Sequence, residues 1–194
     1  TLKIVTMVYA GLVNKNIVAG LQANSCNAIG LTGADAGIIT AHKRMHSSVD
    51  YGFAGDIDAI GNEMIAYFLN GNLTPVIAPI THDAMGQLLN TNADTIAQSL
   101  ATAMAKKYKV VLLYCFEKKG VLMDISDEDS VVNKITASLF DEMKKKELIS
   151  AGMIPKLDNA FVAIHEGVHK VVIGDAAEIT KLIEGSAGTS IVHD

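Results

Sequence analysis

The chain has no tryptophan, only three prolines and two cysteines, and no excess of basic residues. Its net charge of −5 gives no electrostatic footprint for nucleic acid or for an anionic membrane surface. Two cysteines, Cys26 and Cys115, are too few for a disulfide framework, and they indicate reduced thiols in a cytoplasmic protein.

Long apolar runs are missing as well. No stretch approaches the roughly 18 uninterrupted apolar residues of a membrane span, and the beginning of the chain lacks the pattern of a signal peptide. The composition is nevertheless apolar enough for a core, with 49% hydrophobic and 19% charged residues. A length of 194 residues predicts one domain or two small lobes.

Helical and strand periodicities alternate from end to end, which predicts an α/β protein: a three-layer α/β/α sandwich around a mostly parallel, open sheet. Glycines within the first helix, Gly11 and Gly20, predict close approach by another backbone. The predicted helices cover about 2–23, 56–68, 93–104, 137–149 and 156–166, and the predicted strands about 27–31, 74–80, 110–114, 169–173 and 189–192.

Several common catalytic motifs are absent from the sequence, namely the P-loop, the dinucleotide-binding GxGxxG and the GxSxG nucleophile elbow. Residues 165–169 read His-Glu-Gly-Val-His and match the zinc motif HExxH. That motif requires both histidines on one helix, whereas Gly167 predicts a helix end between them. We therefore expect no metal site there.

The stretch 88–94 would place Asn90, Asn92 and Asp94 on one face of an extended chain that enters a helix. Carboxamides both donate and accept hydrogen bonds, and a helix N-terminus favours an anion. These residues suit a polar ligand. They equally suit a plain helix start, with Asn92 as N-cap and Asp94 as a first-turn acid.

Two further stretches allow a similar pair of interpretations. In 152–156, Pro155 predicts a helix start, which places Lys156 in the first turn, ready for a phosphate or simply exposed to solvent. In 114–122, a buried strand ends in a charged turn closed by Gly120. Ligands of α/β sheets bind at such strand ends, although the turn also suits an ordinary connection.

These stretches belong to a set of six motifs that occur in order along the chain. Because of these motifs, the chain resembles the amino-acid kinase superfamily, most closely its acetylglutamate kinase family. The resemblance covers essentially the whole chain and implies a carbamate-kinase-like fold. Residues 1–106 would belong to the acyl-amino-acid lobe and 107–194 would form the nucleotide lobe. The motifs are Gly11–Lys15, Gly30–Asp35, Asn90–Asp94, Gly120–Leu122, Gly152–Lys156 and Gly188–Thr189.

The resemblance implies ATP-dependent phosphorylation of the side-chain carboxylate of N-acetyl-L-glutamate in arginine biosynthesis, with Mg²⁺ on the nucleotide phosphates. Asn90 and Asn92 would hold the acylated amino acid, Asp94 would organise the catalytic lysines, and Lys156 would neutralise the transferring phosphoryl group. Positioning and positive charge are what phosphoryl transfer mainly requires. A homodimer is expected from the family and from the helix glycines. The implied nucleotide-binding residues are Glu117, Lys118, Lys119, Gly120, Val121, Leu122, Leu148, Ile149, Ser150 and Met153.

The sequence also departs from the family pattern. Glu117 stands where the family often has Asp, and Lys118 and Lys119 replace uncharged residues. The family's first strand, its Lys-x-Gly-Gly loop, its second Gly-Gly loop and its substrate-clamping Arg are not found ahead of Thr1, and the chain has no initiator methionine. We therefore expect these residues to be a fragment, inactive and unstable on their own.

Two alternative functions remain open on the sequence. The enzyme would phosphorylate a related acid, such as N-succinylglutamate or an aminoadipate derivative, or the chain would be a catalytically silent sensor of nucleotide or amino acid. Turnover assays on the differently acylated substrates distinguish the first alternative from acetylglutamate phosphorylation. The second depends on whether the encoded N-terminus contains the family's Lys-x-Gly-Gly loop.

Overall fold

The computed structural model describes residues 1–124, 126–149 and 152–192, which form two compact units, Thr1–Leu100 and Ala101–Asp194. The division lies close to residue 106, where the resemblance places the boundary between lobes. Helices and strands alternate along both units, so the predicted α/β class is confirmed. Parallel strand pairs predominate, although the strands are hydrogen-bonded into three sheets rather than one.

Unit 1 contains one two-stranded and one four-stranded sheet. Strands β1 and β4 pair in parallel, and the larger sheet has the order β3-β2-β5-β6 with a parallel pair at β2 and β5. The elements, with α3 running across the division, are α1 (Leu2–Ala23), β1 (Ala28–Leu31), β2 (Ile39–Lys43), β3 (Gly55–Ile60), α2 (Asn62–Asn70), β4 (Thr74–Ile77), β5 (Ile80–His82), β6 (Leu88–Asn90) and α3 (Ala93–Ala105).

The first helix, α1, extends over the predicted residues and is π-helical from Thr6 to Val13. One side is anchored by polar bonds, because the Asn14 carboxamide donates to the Val76 carbonyl (2.8 Å) and the Lys15 ammonium to the Gly30 carbonyl (3.1 Å). Many of its apolar side chains, among them Ile4, Met7 and Leu12, are exposed. Judged by length and composition alone, α1 could cross a membrane, whereas the sequence analysis predicts no membrane span.

The glycines of α1, Gly11 and Gly20, are expected to mark a close approach by another backbone. A Cβ atom built at either position would meet no other atom within 4 Å among the described residues. The described part of this chain therefore supplies no such backbone, and both positions are open to a neighbouring molecule.

The prediction of a helix from Asp56 is also wrong, because Gly55–Ile60 is strand β3 and the helix begins only at Asn62. The acids Asp56 and Asp58 alternate with apolar residues, which is the two-residue period of a strand edge. Pairing with β2 then satisfies the backbone of this segment.

A pair of buried threonines connects β5 to the residue after β6. The Thr81 and Thr91 hydroxyl oxygens lie 2.8 Å apart, and the Thr91 hydroxyl also donates to the Gly55 carbonyl (3.2 Å). Gly55 is required there, since a Cβ atom would come within 2.6 Å of the Thr91 hydroxyl. This contact fixes Thr91 inward and so turns both of its neighbours outward.

Unit 2 is built on a four-stranded sheet of order β7-β9-β10-β8, in which β7 and β9 are parallel over six residues. Fully buried apolar side chains, among them Leu157 and Val171, join the sheet to the helices. The elements are β7 (Val111–Phe116), β8 (Lys134–Ile135), α4 (Ala137–Lys145), α5 (Ile154–His165), β9 (Lys170–Asp175), α6 (Ile179–Glu184) and β10 (Thr189–Ile191).

The HExxH match is broken as the sequence predicts. Helix α5 ends at His165, and Gly167 has a φ of +100°, a left-handed conformation that ends helices. His169 follows outside the helix. Among the described residues, no group of three or more His, Cys, Asp or Glu side chains is arranged to hold a metal ion.

We predict that Thr91→Val destabilises unit 1 by about 1–3 kcal/mol, because it leaves the buried Thr81 hydroxyl and the Gly55 carbonyl without their partner. Thr81→Val should act in the same direction. The double variant should cost less than the sum of the two single variants, since it removes both hydroxyls of one pair. Urea-induced unfolding followed by circular dichroism measures these differences, and strictly additive effects would contradict the pairing.

Candidate active site

The segment Asn90–Asp94 joins the end of β6 to the start of α3. Thr91 is buried, whereas Asn90 and Asn92 are exposed, so the two carboxamides share the outward face as the spacing predicts. The Asn92 carboxamide oxygen accepts the Thr95 N–H (3.1 Å), which makes Asn92 the N-cap of α3. Capping uses only its oxygen. Asp94 lies in the first helical turn, half-buried, where a carboxylate is favoured by the helix dipole.

A groove in unit 1 opens beside Asn90 and has a volume of about 850 Å³, counting space open to solvent. Its floor and walls combine the start of α1 with the residues that precede β3. The backbone N–H of Asn90 donates to the Phe53 carbonyl (2.8 Å), which ties the carboxamide to this wall. The lining residues are Thr1, Leu2, Val5, Asp50, Tyr51, Gly52, Phe53, Ala54 and Asn90.

The β2–β3 hairpin that carries this wall is held by cross-strand charge pairs. The Arg44 guanidinium donates from two nitrogens to Asp56, with Nη2 to Oδ1 at 2.6 Å, and this hydrogen bond lowers the pKa of Asp56 and raises that of Arg44. Next to this pair, His42 Nδ1 lies 2.6 Å from Asp58 Oδ1. These pairs fix the register of the hairpin that presents Tyr51 and Phe53 to the groove.

In unit 2, the charged turn after β7 is fixed by a buried contact with β10. The Val121 N–H donates to the Thr189 hydroxyl oxygen (2.8 Å), and Thr189 is fully buried. Gly120 must lack a side chain, since a Cβ atom would lie 2.7 Å from that hydroxyl oxygen and 2.9 Å from a methyl group of Val131. The glycine that the sequence analysis placed at the end of the turn therefore has a packing reason.

A groove lies against this turn and against the chain between α4 and α5, with a volume of about 410 Å³ that includes space open to solvent. Ile149 is buried and Leu148 half-exposed, and Met153 comes directly before α5. The groove thus sits at the carboxyl end of β7, where α/β sheets bind ligands. Its lining residues are Lys118, Gly120, Val121, Leu122, Leu148, Ile149 and Met153.

All seven lining residues belong to the ten that the resemblance assigns to the nucleotide. Of the other three, Glu117 and Lys119 are exposed and do not line the groove. Ser150 lies outside the described residues. Sequence periodicity could not have gathered these positions, because they come from two segments separated by about 25 residues.

Lys156 lies in the first turn of α5, half-buried, with its ammonium 5.8 Å from the centre of the Tyr114 ring. Tyr114 is a buried residue of β7 and the first residue of the stretch 114–122, to which the sequence analysis gave no role in holding Lys156. The aromatic face attracts a cation and holds Lys156 beside the sheet. A lysine and the positive end of a helix dipole together make a place for an anion.

Unit 2 also has a larger groove of about 1190 Å³ between α4 and α5. There Phe140 stacks on Phe161 with ring centroids 5.1 Å apart, and Lys144 pairs with Asp158 at 2.6 Å. This groove lies between two helices rather than at the strand ends where α/β sheets bind ligands. The smaller groove is the better candidate for a nucleotide.

The chain is similar to known proteins over most of its length. The family model described as "Amino acid kinase family" matches residues 1–175. The chain is 52% identical to the acetylglutamate kinase of Cytophaga hutchinsonii, covering 99% of this chain and 74% of that protein. It is 55% identical to that of Phocaeicola vulgatus, with coverages of 98% and 73%.

Among solved structures, a Giardia carbamate kinase superposes with a TM-score of 0.67 at 13% identity, covering 95% of this chain and 70% of that one. At that identity the likeness concerns the fold alone, and it confirms the carbamate-kinase-like architecture expected from the resemblance. The family match, the relatives and the fold agree: the chain belongs to the amino acid kinase family and, within it, to the acetylglutamate kinases.

Proposed function

We propose that this chain contributes the substrate and nucleotide sites of an enzyme that transfers the γ-phosphoryl group of ATP to the side-chain carboxylate of N-acetyl-L-glutamate, as a step of arginine biosynthesis. The observation that carries the proposal is the identity of 52–55% to acetylglutamate kinases over nearly the whole chain. In the reaction, a carboxylate oxygen forms a bond to the γ-phosphorus, the bond to the β,γ-bridging oxygen breaks, and ADP leaves with that electron pair.

The groove of unit 2 suits a nucleotide because its walls are mostly apolar and its charge lies at one edge. Leu122, Leu148 and Met153 offer the apolar contacts that a purine base requires. The rigid turn at Gly120 supplies a fixed backbone edge beside them. Mg²⁺ is proposed to arrive on the nucleotide phosphates, as it usually does in phosphoryl transfer.

Lys156 is the residue proposed to stabilise the transferring phosphoryl group. Its ammonium is held beside Tyr114, at the N-terminal end of α5, so a charge and a helix dipole act in the same direction. Such preorganised positive charge stabilises the transition state of phosphoryl transfer, in which the protein does little covalent chemistry.

The groove of unit 1 is proposed to hold the acylated amino acid. Asn90 lies at its edge with an exposed carboxamide, and Leu2, Val5 and Phe53 give it an apolar wall. Apolar contact suits an acetyl methyl group, while a carboxamide suits the polar ends of glutamate. Asn92 retains an amide nitrogen for the ligand after its oxygen caps α3, and Asp94 keeps the role that the resemblance gives it.

We further propose that the enzyme is a cytoplasmic homodimer in which α1 packs against a second copy. The cysteines are both free, as expected for reduced thiols. Ile4, Met7 and Leu12 of α1 are each more than 60% exposed, and the open glycines would admit a neighbouring backbone. Polar anchoring of Asn14 and Lys15 to the sheet suits a protein interface better than a bilayer.

The kinase proposal is tested on the complete product of the gene that encodes these residues. With ATP, Mg²⁺ and N-acetylglutamate, we predict ADP release together with an acyl phosphate that hydroxylamine traps as a hydroxamate. EDTA should stop turnover. Lys156→Met should lower kcat by about 10²–10³-fold through loss of transition-state charge stabilisation, whereas Lys145→Met, an exposed lysine at the end of α4, serves as the control and should not.

The same assay decides between the alternatives. A higher kcat/KM for N-succinylglutamate or for an aminoadipate derivative would contradict the proposed substrate. Binding of ATP and N-acetylglutamate without any turnover would instead identify a sensor.

The dimer proposal predicts a sedimenting species of twice the chain mass, which Leu12→Glu converts to monomer by placing a charge in the apolar contact. Met85→Glu introduces the same charge at an exposed methionine of the β5–β6 turn and should leave the dimer intact. A monomeric wild type would contradict the proposal. So would sedimentation of the protein with phospholipid vesicles, which would assign α1 to a membrane.

A further inference from the structure

Two consecutive lysines in the turn after β7 have different surroundings. Lys118 lines the nucleotide groove, whereas Lys119 does not. Lys118 is also the one charged residue among the seven that line this groove. The other six are glycine or apolar, so an anion in the groove has this ammonium as its nearest positive charge among the lining side chains.

Each lysine is paired with an acid of the following loop. Lys118 Nζ lies 3.2 Å from Glu128 Oε1, and Lys119 Nζ lies 2.8 Å from Asp129 Oδ1. In the shorter pair, the hydrogen bond raises the pKa of Lys119 and lowers that of Asp129. Exposed pairs of this kind are weak, and the longer one is the easier to open.

We infer that Lys118 is a specificity residue that attracts the phosphates of the bound nucleotide, and that Glu128 is its counter-ion while the groove is empty. On binding, the ammonium exchanges one carboxylate for a polyphosphate of higher charge. This inference rests on the proposed nucleotide site and adds a function for one residue pair. Lys119 remains bound to Asp129 outside the groove.

The exchange makes the groove selective for nucleotide charge. ATP offers the ammonium several negative charges, AMP fewer, and adenosine none. The apolar walls contact the base in all three ligands, so they contribute similarly to each. The attraction between the Lys118 ammonium and the ligand grows with the negative charge of the ligand. Beside low-dielectric walls this attraction is stronger than it is in bulk water.

Titration calorimetry with ATP, AMP and adenosine tests the inference on four exposed-site variants. Lys118→Met should raise the Kd for ATP by about three- to tenfold, the Kd for AMP by less, and leave that for adenosine unchanged. Lys119→Met should weaken ATP binding less than Lys118→Met does. Glu128→Gln should tighten ATP binding by about twofold because it frees Lys118, and Asp129→Asn should not.

The salt dependence gives an independent readout. The difference between wild type and Lys118→Met should shrink at about 1 M NaCl, where charges are screened over a few ångströms. Equal losses for Lys118→Met and Lys119→Met, or an equal loss for adenosine and ATP, would overturn the inference while leaving the nucleotide site in place. A wild type that binds no ATP would overturn the proposed function itself, and this inference with it.

Discussion

A buried hydrogen bond from the Val121 N–H to the hydroxyl oxygen of Thr189 holds the turn that follows β7 against β10, and the candidate nucleotide groove depends on it. The bond joins two distant segments, and leaving its buried N–H unpaired would cost about 1–3 kcal/mol. Gly120 permits the contact by having no side chain. The backbone edge of the groove is thereby fixed before any ligand arrives, which reduces the ordering that binding requires.

The two grooves share a physical design. In each, a buried hydroxyl fixes a backbone segment: the Thr91 hydroxyl holds the residue between Asn90 and Asn92 inward, and the Thr189 hydroxyl accepts from the Val121 N–H. Charged groups stay at the rims, where pairs such as Arg44–Asp56 and Lys118–Glu128 are exposed to water. Apart from Asp50 in unit 1 and Lys118 in unit 2, the described residues that line the two grooves are uncharged side chains or glycine.

Much of the fold could be predicted from periodicity, including α1, α3, α5 and the strands that start at Ala28 and Lys170. The predicted helix from Asp56 is wrong because the helical spacing of Ile60, Met64 and Phe68 does not extend back through β3, where the chain pairs with the preceding strand β2. Gly11 and Gly20 show the limit of such reasoning, since propensity shows that glycine is costly in a helix but not which molecule lies beside it.

The candidate site could be assembled only in part from the residues themselves. Asn92 and Lys156 each had a structural and a functional interpretation, and the bond from the Thr95 N–H to the Asn92 carboxamide oxygen confirms the structural one for Asn92. The resemblance brought together the segments around Gly120 and Met153, which spacing could not. Tertiary contacts determine the Thr81–Thr91 pair and the difference between Lys118 and Lys119. No local sequence pattern predicts them.

The central claim is that the groove beside Gly120 is where the nucleotide binds. Its most direct test is a crystal structure of the complete gene product with Mg²⁺ and a non-hydrolysable ATP analogue. The account predicts a base in contact with Leu122 and Met153, with phosphates directed towards Lys156. A nucleotide bound instead between α4 and α5, against Phe140 and Phe161, would contradict it.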